Sequence, residues 1–241
     1  MWRKSGEVPP QRGVGFERTR ETLRRLAGDA DPEVRRKALR AMESSADPAF
    51  AELMLEVARN DPDEEFRARA AGGLGRLRGK DTFSLLTPFA SDPSPKVQAF
   101  AITALGQTGD PRALEFLAAQ LKRDDAKIRS AALRGLANLR EPRVFELAKS
   151  YVQDPDAYVA RMALYACWQS PAPNGFLVQL EALESHNPKV QDFAADRLKW
   201  LLANEPVSPE HELRIKEALA VYERSNLPVV PPTPAAAPDE F

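Results

Sequence analysis

The chain has 241 residues, of which 43% are apolar and 29% are charged, with 34 basic and 35 acidic side chains and a net charge of -1. This length and apolar content allow a sizeable buried core. The balanced charge gives no indication of a nucleic-acid partner or of binding to an anionic membrane, because both need a basic surface. The single cysteine, Cys167, excludes an internal disulfide, which fits a reducing, cytoplasmic location.

The two ends of the chain differ in composition from its middle. Residues 1–16 contain glycines, prolines and basic side chains but no apolar run, so they do not form a secretory signal. We interpret them as a flexible leader, with a binding arm as the alternative. Residues 17–225 are expected to form one helical domain, and its first helix is predicted over 16–27. The proline- and alanine-rich residues 226–241 are predicted to be a disordered tail.

One short amphipathic pattern recurs six times along the chain. Its apolar anchors are 32, 31, 31, 31 and 31 residues apart. Apolar or small residues also recur four, five and eight positions after each anchor, which is one side of a helix with about 3.6 residues per turn. A period of this length indicates a solenoid, in which each unit buries its apolar face by stacking on its neighbours. The anchors are Val34, Phe66, Val97, Ile128, Val159 and Val190.

Helix starts are marked at regular positions. Three residues before each anchor stands a side chain that can cap a helix N-terminus: Asp31, Asp63, Ser94, Asp125, Asp156 and Asn187. A second helix is predicted in each unit, opened at Asp47-Pro48, Lys80-Asp81, Asp110-Pro111, Glu141-Pro142 and Ala172-Pro173. Pro88 should kink or shorten one of these second helices. A last amphipathic helix over 208–224 is predicted to cap the array.

Two segments carry a resemblance to a known family. Residues 31–39 read Asp-Pro-x-Val-Arg-x-x-Ala-Leu, and residues 104–114 read Ala-Leu-Gly-x-x-Gly-Asp-Pro-Arg-Ala-Leu. These segments resemble HEAT repeats, above all the short-period class called phycobilisome-lyase-like HEAT repeats, over residues 17–203. The resemblance implies an all-α fold, a right-handed α-solenoid of about six helical-hairpin HEAT-like repeats with capping helices. It also implies that the Val-Arg helices line the concave side.

Positions two, six and nine residues after each anchor are predicted to point away from the core. In the middle copies they form a floor of mostly small residues, whereas the fifth copy carries Arg161, Tyr165 and Trp168. Exposed aromatic residues beside arginine are typical of protein interfaces. We therefore predict a partner-binding surface on the concave face, formed by Arg134, Arg161, Tyr165, Trp168, Phe100, Met162, Phe193 and Trp200. Alternatively, Tyr165 and Trp168 pack under the loop 170–175.

The position directly after the anchor holds arginine in three copies, Arg35, Arg67 and Arg129. One hypothesis is a basic ladder that grips phosphates. The other, which the resemblance favours, is that each arginine bonds the cap aspartate of an adjacent repeat.

The sequence contains no catalytic constellation, and we predict no metal and no cofactor. His186 and His211 stand apart without a cysteine or carboxylate cluster at metal-ligand spacing, and Cys167 occupies a core position.

Three functions stay open. The first choice is a non-catalytic protein-binding or assembly scaffold with a protein partner and with no nucleic acid or membrane. The alternative that the resemblance suggests is an accessory or lyase/chaperone-like subunit of an enzyme system, or the repeat domain of a larger enzyme. The third, a DNA-base glycosylase of the HEAT-like kind, conflicts with the net charge of -1.

Overall fold

The computed structural model describes residues 14–45, 47–77, 81–171 and 175–226. All the regular elements within these ranges are helical, so the all-α prediction is confirmed. The predicted tail and most of the predicted leader lie outside the described residues. The helices are α1 Val14–Ala27, α2 Pro32–Ser45, α3 Ala51–Asn60, α4 Glu64–Leu77, α5 Thr82–Leu86, α6 Pro95–Leu105, α7 Ala113–Gln120, α8 Ala126–Leu139, α9 Arg143–Lys149, α10 Ala157–Gln169, α11 Gly175–Ala182, α12 Pro188–Asn204 and α13 Pro209–Ser225.

The predicted N-caps form as expected. Asp125 accepts a hydrogen bond from the backbone N–H of Lys127, and Asp156 accepts from the N–H groups of Tyr158 and Val159. Equivalent bonds are made at the other starts by Asp31, Asp63, Ser94 and Asn187. Each cap satisfies a backbone donor that has no partner within its own helix.

The buried face of each Val-Arg helix is the predicted one. The anchors and the residues four, five and eight positions later are buried in α4, α6, α8, α10 and α12. Val34, the anchor of α2, is the exception, because it is only half-buried.

The second helices are shorter and more irregular. Helix α5 ends at Leu86 and continues as a 3-10 segment over Thr87–Ser91 that contains Pro88. Proline lacks a backbone donor and clashes with the preceding turn, so the predicted shortening is confirmed. Lys80, Ala172 and Pro173, at two of the predicted helix starts, lie outside the described residues.

The described residues divide into two compact units, one up to Gly175 and one from Phe176 onward. In the first unit, helices α2, α4, α6, α8 and α10 pack successively to form one layer, which we call the Val-Arg layer. Helices α3, α5, α7 and α9 pack against this layer. In the second unit α12 packs against α13. None of the described helices combines the length and the apolar composition needed to cross a membrane.

Glycines allow the helices of the Val-Arg layer to approach closely. A Cβ on Gly106 would lie 2.0 Å from the backbone oxygen of Gly135, and one on Gly75 would lie 2.5 Å from the oxygen of Ala104. Such contacts leave no room for a side chain. The spacing of α4, α6 and α8 therefore depends on these small residues.

Candidate partner-binding surface

A groove of about 520 Å³ lies on the Val-Arg layer, between residues of α4, α6, α8 and α10. Small side chains form much of its floor, among them Gly72, Ala99 and Ala131. Phe100 from α6 and Tyr158 from α10 line it, and each is 44% exposed. The groove thus presents two aromatic side chains that packing within the repeat array leaves accessible.

Each aromatic side chain is held by a specific neighbour. A Cβ on Gly72 would lie 3.0 Å from Cδ1 of Phe100, so this ring rests directly on the glycine. The hydroxyl of Tyr158 accepts a hydrogen bond from Nη2 of Arg134, whose guanidinium carbon lies 5.8 Å from the tyrosine ring centroid. These contacts orient both rings in the absence of a partner.

A second groove of about 620 Å³ continues from the first. Arg76 and Gln107 line both grooves, so we treat the two as one joint groove. The second part is the more polar one. It is lined by Arg76, Gln107, Ala137, Asn138, Arg140, Tyr165 and Gln169.

Among the described residues, those that line the joint groove include five cations and no carboxylate. Its cations are Arg76, Lys96, Lys127, Arg134 and Arg140. Two of these cations form ion pairs with carboxylates that lie outside the lining. Arg76 lies 3.2 Å from a carboxylate oxygen of Glu43, and Lys96 lies 2.8 Å from one of Glu65. The other three have no ion-pair partner among the described residues.

Lys96 is held by ion pairs with two carboxylates, those of Glu64 and Glu65. Its hydrogen bond to Glu65, with the charges of Glu65 and Glu64, raises the pKa of Lys96. A hydrogen bond from the Ser94 hydroxyl, together with Lys96, lowers the pKa of Glu64. Lys96 is therefore held beside two carboxylates at the α6 end of the groove and contributes less free charge than Lys127 or Arg134.

The residues predicted from the sequence fall into three groups. Phe100 and Arg134 line the first groove, and half-buried Tyr165 lines the second. The half-buried side chains of Arg161, Met162 and Trp168 lie on α10 but outside both linings. Phe193, which is half-buried, and Trp200, which is 44% exposed, belong to α12 of the second unit.

One part of the predicted surface is wrong. Several residues expected to form an open floor are buried: Ala68, Gly75, Gly106, Ser130 and Ala137. Gly75 and Gly106 are buried by lateral packing, because α4, α6 and α8 approach so closely that these glycines contact the backbone of the neighbouring helix. Gly72, Ala99 and Thr103 line the groove, and so do the buried Ser130 and Ala137, whereas Ala68, Gly75 and Gly106 line neither part.

The groove is also lined by residues that were not predicted from the sequence, and three of these, Tyr158, Lys127 and Lys96, stand directly before their anchors. Seven residues make about two helical turns, so the position before an anchor shares a face with the position six after it. Lys127 and Arg134 are such a pair. This spacing was the signal that could have identified them.

The arginine ladder is structural, and its partner differs from the predicted one. Arg35 and Arg129 bond Asp61 and Asp154, each of which stands two residues before the next cap aspartate rather than at the cap. Both arginines also donate to backbone oxygens that precede their own helix. These guanidinium groups are therefore engaged within the array and do not form a phosphate-binding ladder.

The candidate reactive groups have ordinary structural surroundings. Cys167 is fully buried, and burial raises the pKa of its thiol to about 12. The ring of His211 lies 4.6 Å from that of Phe176, and His186 is exposed. In the described part of the chain, no group of three or more histidine, cysteine, aspartate or glutamate residues could hold a metal ion.

Stacked helical hairpins with a groove along one layer define a repeat protein of the α-solenoid class. The model of the family described as HEAT repeats matches residues 12–64 and 51–137, more than half of the sequence. The chain belongs to the HEAT-repeat family. The predicted resemblance is thereby confirmed.

Two solved structures illustrate the similarity. One chain in the structure of the complex of CpcE and CpcF of phycocyanin lyase from Nostoc sp. PCC7120 is 16% identical to this chain. The TM-score is 0.53, and the match covers 92% of this chain and 99% of that chain. The YibA protein of Escherichia coli is 17% identical, with a TM-score of 0.57 over 90% of this chain and 88% of that chain. At these identities the similarity shows the fold alone. A comparison with curated protein sequences finds no match.

Proposed function

We propose that this chain is a non-catalytic scaffold that binds a protein partner along the joint groove. The observation that carries the proposal is the pair Phe100 and Tyr158, two exposed aromatic side chains beside a floor of small residues and next to Arg134. A few residues dominate the binding energy at protein interfaces, and aromatic and arginine side chains are enriched among such contacts. Both side chains remain exposed although each contacts a neighbouring helix of the Val-Arg layer.

The chemistry of the lining supports binding rather than catalysis. Its polar side chains are cations, amides and hydroxyls, and the lining contains neither histidine nor carboxylate to act as a general base. The thiol of Cys167 lies in the core with a raised pKa, so it is no accessible nucleophile.

Other residues that the sequence indicates are also proposed to contact a partner, each within its own unit. In the first unit these are Arg161, Met162 and Trp168 beside Tyr165 on α10, and in the second unit they are Phe193 and Trp200 on α12. Their aromatic and basic character is what supports including them.

Affinity capture with the tagged protein tests the proposal. Phe100→Ser and Tyr158→Ser should each weaken capture of the partner about tenfold or more, because each removes an aromatic anchor. The matched control is Leu213→Ser on α13, whose leucine is 59% exposed and lies outside the groove lining. Equal capture of the same partner by all three variants would remove the basis of the proposal.

A second pair of variants tests the extension onto α10. Arg161→Glu and Trp168→Ala should reduce capture while the thermal unfolding midpoint stays within a few degrees of the wild type. A large fall in the midpoint with unchanged capture would instead assign Trp168 to packing beneath the neighbouring loop.

The alternative is an accessory, lyase-like or chaperone-like subunit, as suggested by the similarity to the CpcE–CpcF complex. This similarity supports the fold but does not favour that role over the scaffold. An absorption spectrum of the purified protein from the near ultraviolet to the red separates the two, because a subunit that holds a pigment would show a visible band.

A further inference from the structure

We infer that the joint groove receives an extended, acidic peptide segment of the partner. This inference rests on the proposed function and adds the chemical class of the bound segment. Its first support is charge: five cations line the groove and no carboxylate does, although acidic and basic residues are balanced over the chain as a whole. A carboxylate that enters the groove meets only attractive charges within the lining.

The second support is the arrangement of the three cations without an ion-pair partner. Lys127, Arg134 and Arg140 are all exposed; Lys127 and Arg134 lie seven residues apart on one face of α8, and Arg140 is the residue that caps its C-terminus. A helix rises about 1.5 Å per residue, so Lys127 and Arg134 are roughly 10 Å apart along its axis. An extended chain advances about 3.3 Å per residue. Carboxylates three residues apart in a peptide that runs along α8 would therefore face Lys127 and Arg134 in turn.

The third support is an unsatisfied acceptor at the junction of the two parts of the groove. Oε1 of Gln107 is buried and accepts no hydrogen bond from the described residues, and Gln107 lines both parts. A buried acceptor without a donor is costly, and a rotation of the Gln107 side chain towards the groove would let the backbone N–H of an extended peptide satisfy it. A phosphodiester backbone has no such donor.

These observations favour a peptide over single-stranded nucleic acid. Phosphate binding along a strand relies on a continuous positive surface. Here the cations alternate with small apolar side chains, and the net charge of the protein is -1. The floor instead suits short apolar side chains between the acidic ones.

Fluorescence anisotropy with a labelled synthetic peptide tests the inference on the full chain. The probe has about ten residues with aspartate at every third position and alanine or leucine elsewhere. One comparison peptide carries the same aspartates in a single block, and another carries lysine in place of aspartate. A labelled oligothymidylate of about ten nucleotides is the nucleic-acid probe.

The test variant is Lys127→Glu/Arg134→Glu. Its matched control is Lys122→Glu/Lys149→Glu, which makes the same change in charge at exposed residues outside the groove lining and without ion pairs among the described residues. The spaced acidic peptide should bind the test variant at least about tenfold more weakly than it binds the wild type. Its affinity for the control variant should stay within about twofold of its affinity for the wild type. The lysine peptide should gain affinity for the test variant only.

Each other outcome overturns the inference in a recognisable way. Equal binding of the spaced and block peptides would refute the alignment with α8. If oligothymidylate binds the wild type while the peptides do not, and if the test variant loses this binding, the groove would be assigned to nucleic acid. If neither probe binds but partner capture still depends on Phe100, the acidic class is wrong and the scaffold function stands.

Discussion

Arg129 and Asp154 join two successive repeats through a pair of hydrogen bonds. Nε of the arginine lies 2.9 Å from Oδ2 of the aspartate, and Nη2 lies 2.9 Å from Oδ1. The two side chains are only 13% and 6% exposed. Bonding to Asp154 raises the pKa of Arg129, so the arginine stays charged at any ordinary pH. Two parallel bonds to one carboxylate give this contact a defined geometry.

The same contact recurs where the sequence supplies both partners. Arg35 bonds Asp61, and Arg67 lies 3.9 Å from Asp92. In the next copy the aspartate position is occupied by Arg123, and the ladder position holds Gln98 instead of arginine. A second arginine facing Arg123 would be repelled. The two positions therefore vary together within this one chain.

The first prediction concerns the free energy of unfolding. Arg129→Ala should lower it by about 2–4 kcal/mol, because it leaves the carboxylate of Asp154 buried without its partner. The double variant Arg129→Ala/Asp154→Ala should lose less than the sum of the two single variants, as measured by urea denaturation. Additive losses would show that the two side chains are not coupled. The exposed pair of Arg143 and Glu115 is the control, and Arg143→Ala should leave the urea midpoint unchanged.

The second prediction concerns the close approach of α6 and α8. Gly106→Ala should destabilise the protein by about 1–3 kcal/mol or more, because the new methyl group would meet the backbone oxygen of Gly135 at 2.0 Å. Neither helix can move without disturbing its other contacts. Gly28→Ala is the control, since the nearest atoms to its Cβ would be 3.9 Å away. Similar unfolding midpoints for the two variants would contradict the packing argument.

The third prediction concerns pH. Hydrogen bonds from the side chain and the backbone N–H of Arg112 lower the pKa of Asp110 from 3.8 to about 2. Since the folded state holds this carboxyl ionised, its contribution to stability is present above pH 3.8 and is lost as the pH falls through about 2. Carboxyl-carbon NMR titration should give a midpoint near 2 in the wild type and a clearly higher one in Arg112→Ala. Coinciding midpoints would mean that Arg112 does not stabilise the ionised carboxyl.

The fold could be predicted in detail because its signals are local. An N-cap such as Asp125 bonds a backbone group only two residues away. The buried face of each helix follows from periodicity alone. Six copies of the same pattern made these local signals mutually consistent, and the caps and core faces formed where they were expected.

The candidate site could be predicted only in part, because exposure depends on neighbouring helices. Gly106 and Arg134 occupy outward positions by periodicity, yet the first is buried against Gly135 and the second is exposed beside Tyr158. Periodicity describes one helix at a time and contains no information about how closely the next helix packs.

The sequence by itself determined the helices, their caps, their buried faces and the repeat family, because each of these depends on residues within a few turns of one another. Only the tertiary structure decided which outward residues form the joint groove and which aspartate each ladder arginine binds. Those contacts join residues about 25 positions apart, such as Arg129 and Asp154, and their formation depends on the stacking distance of whole repeats.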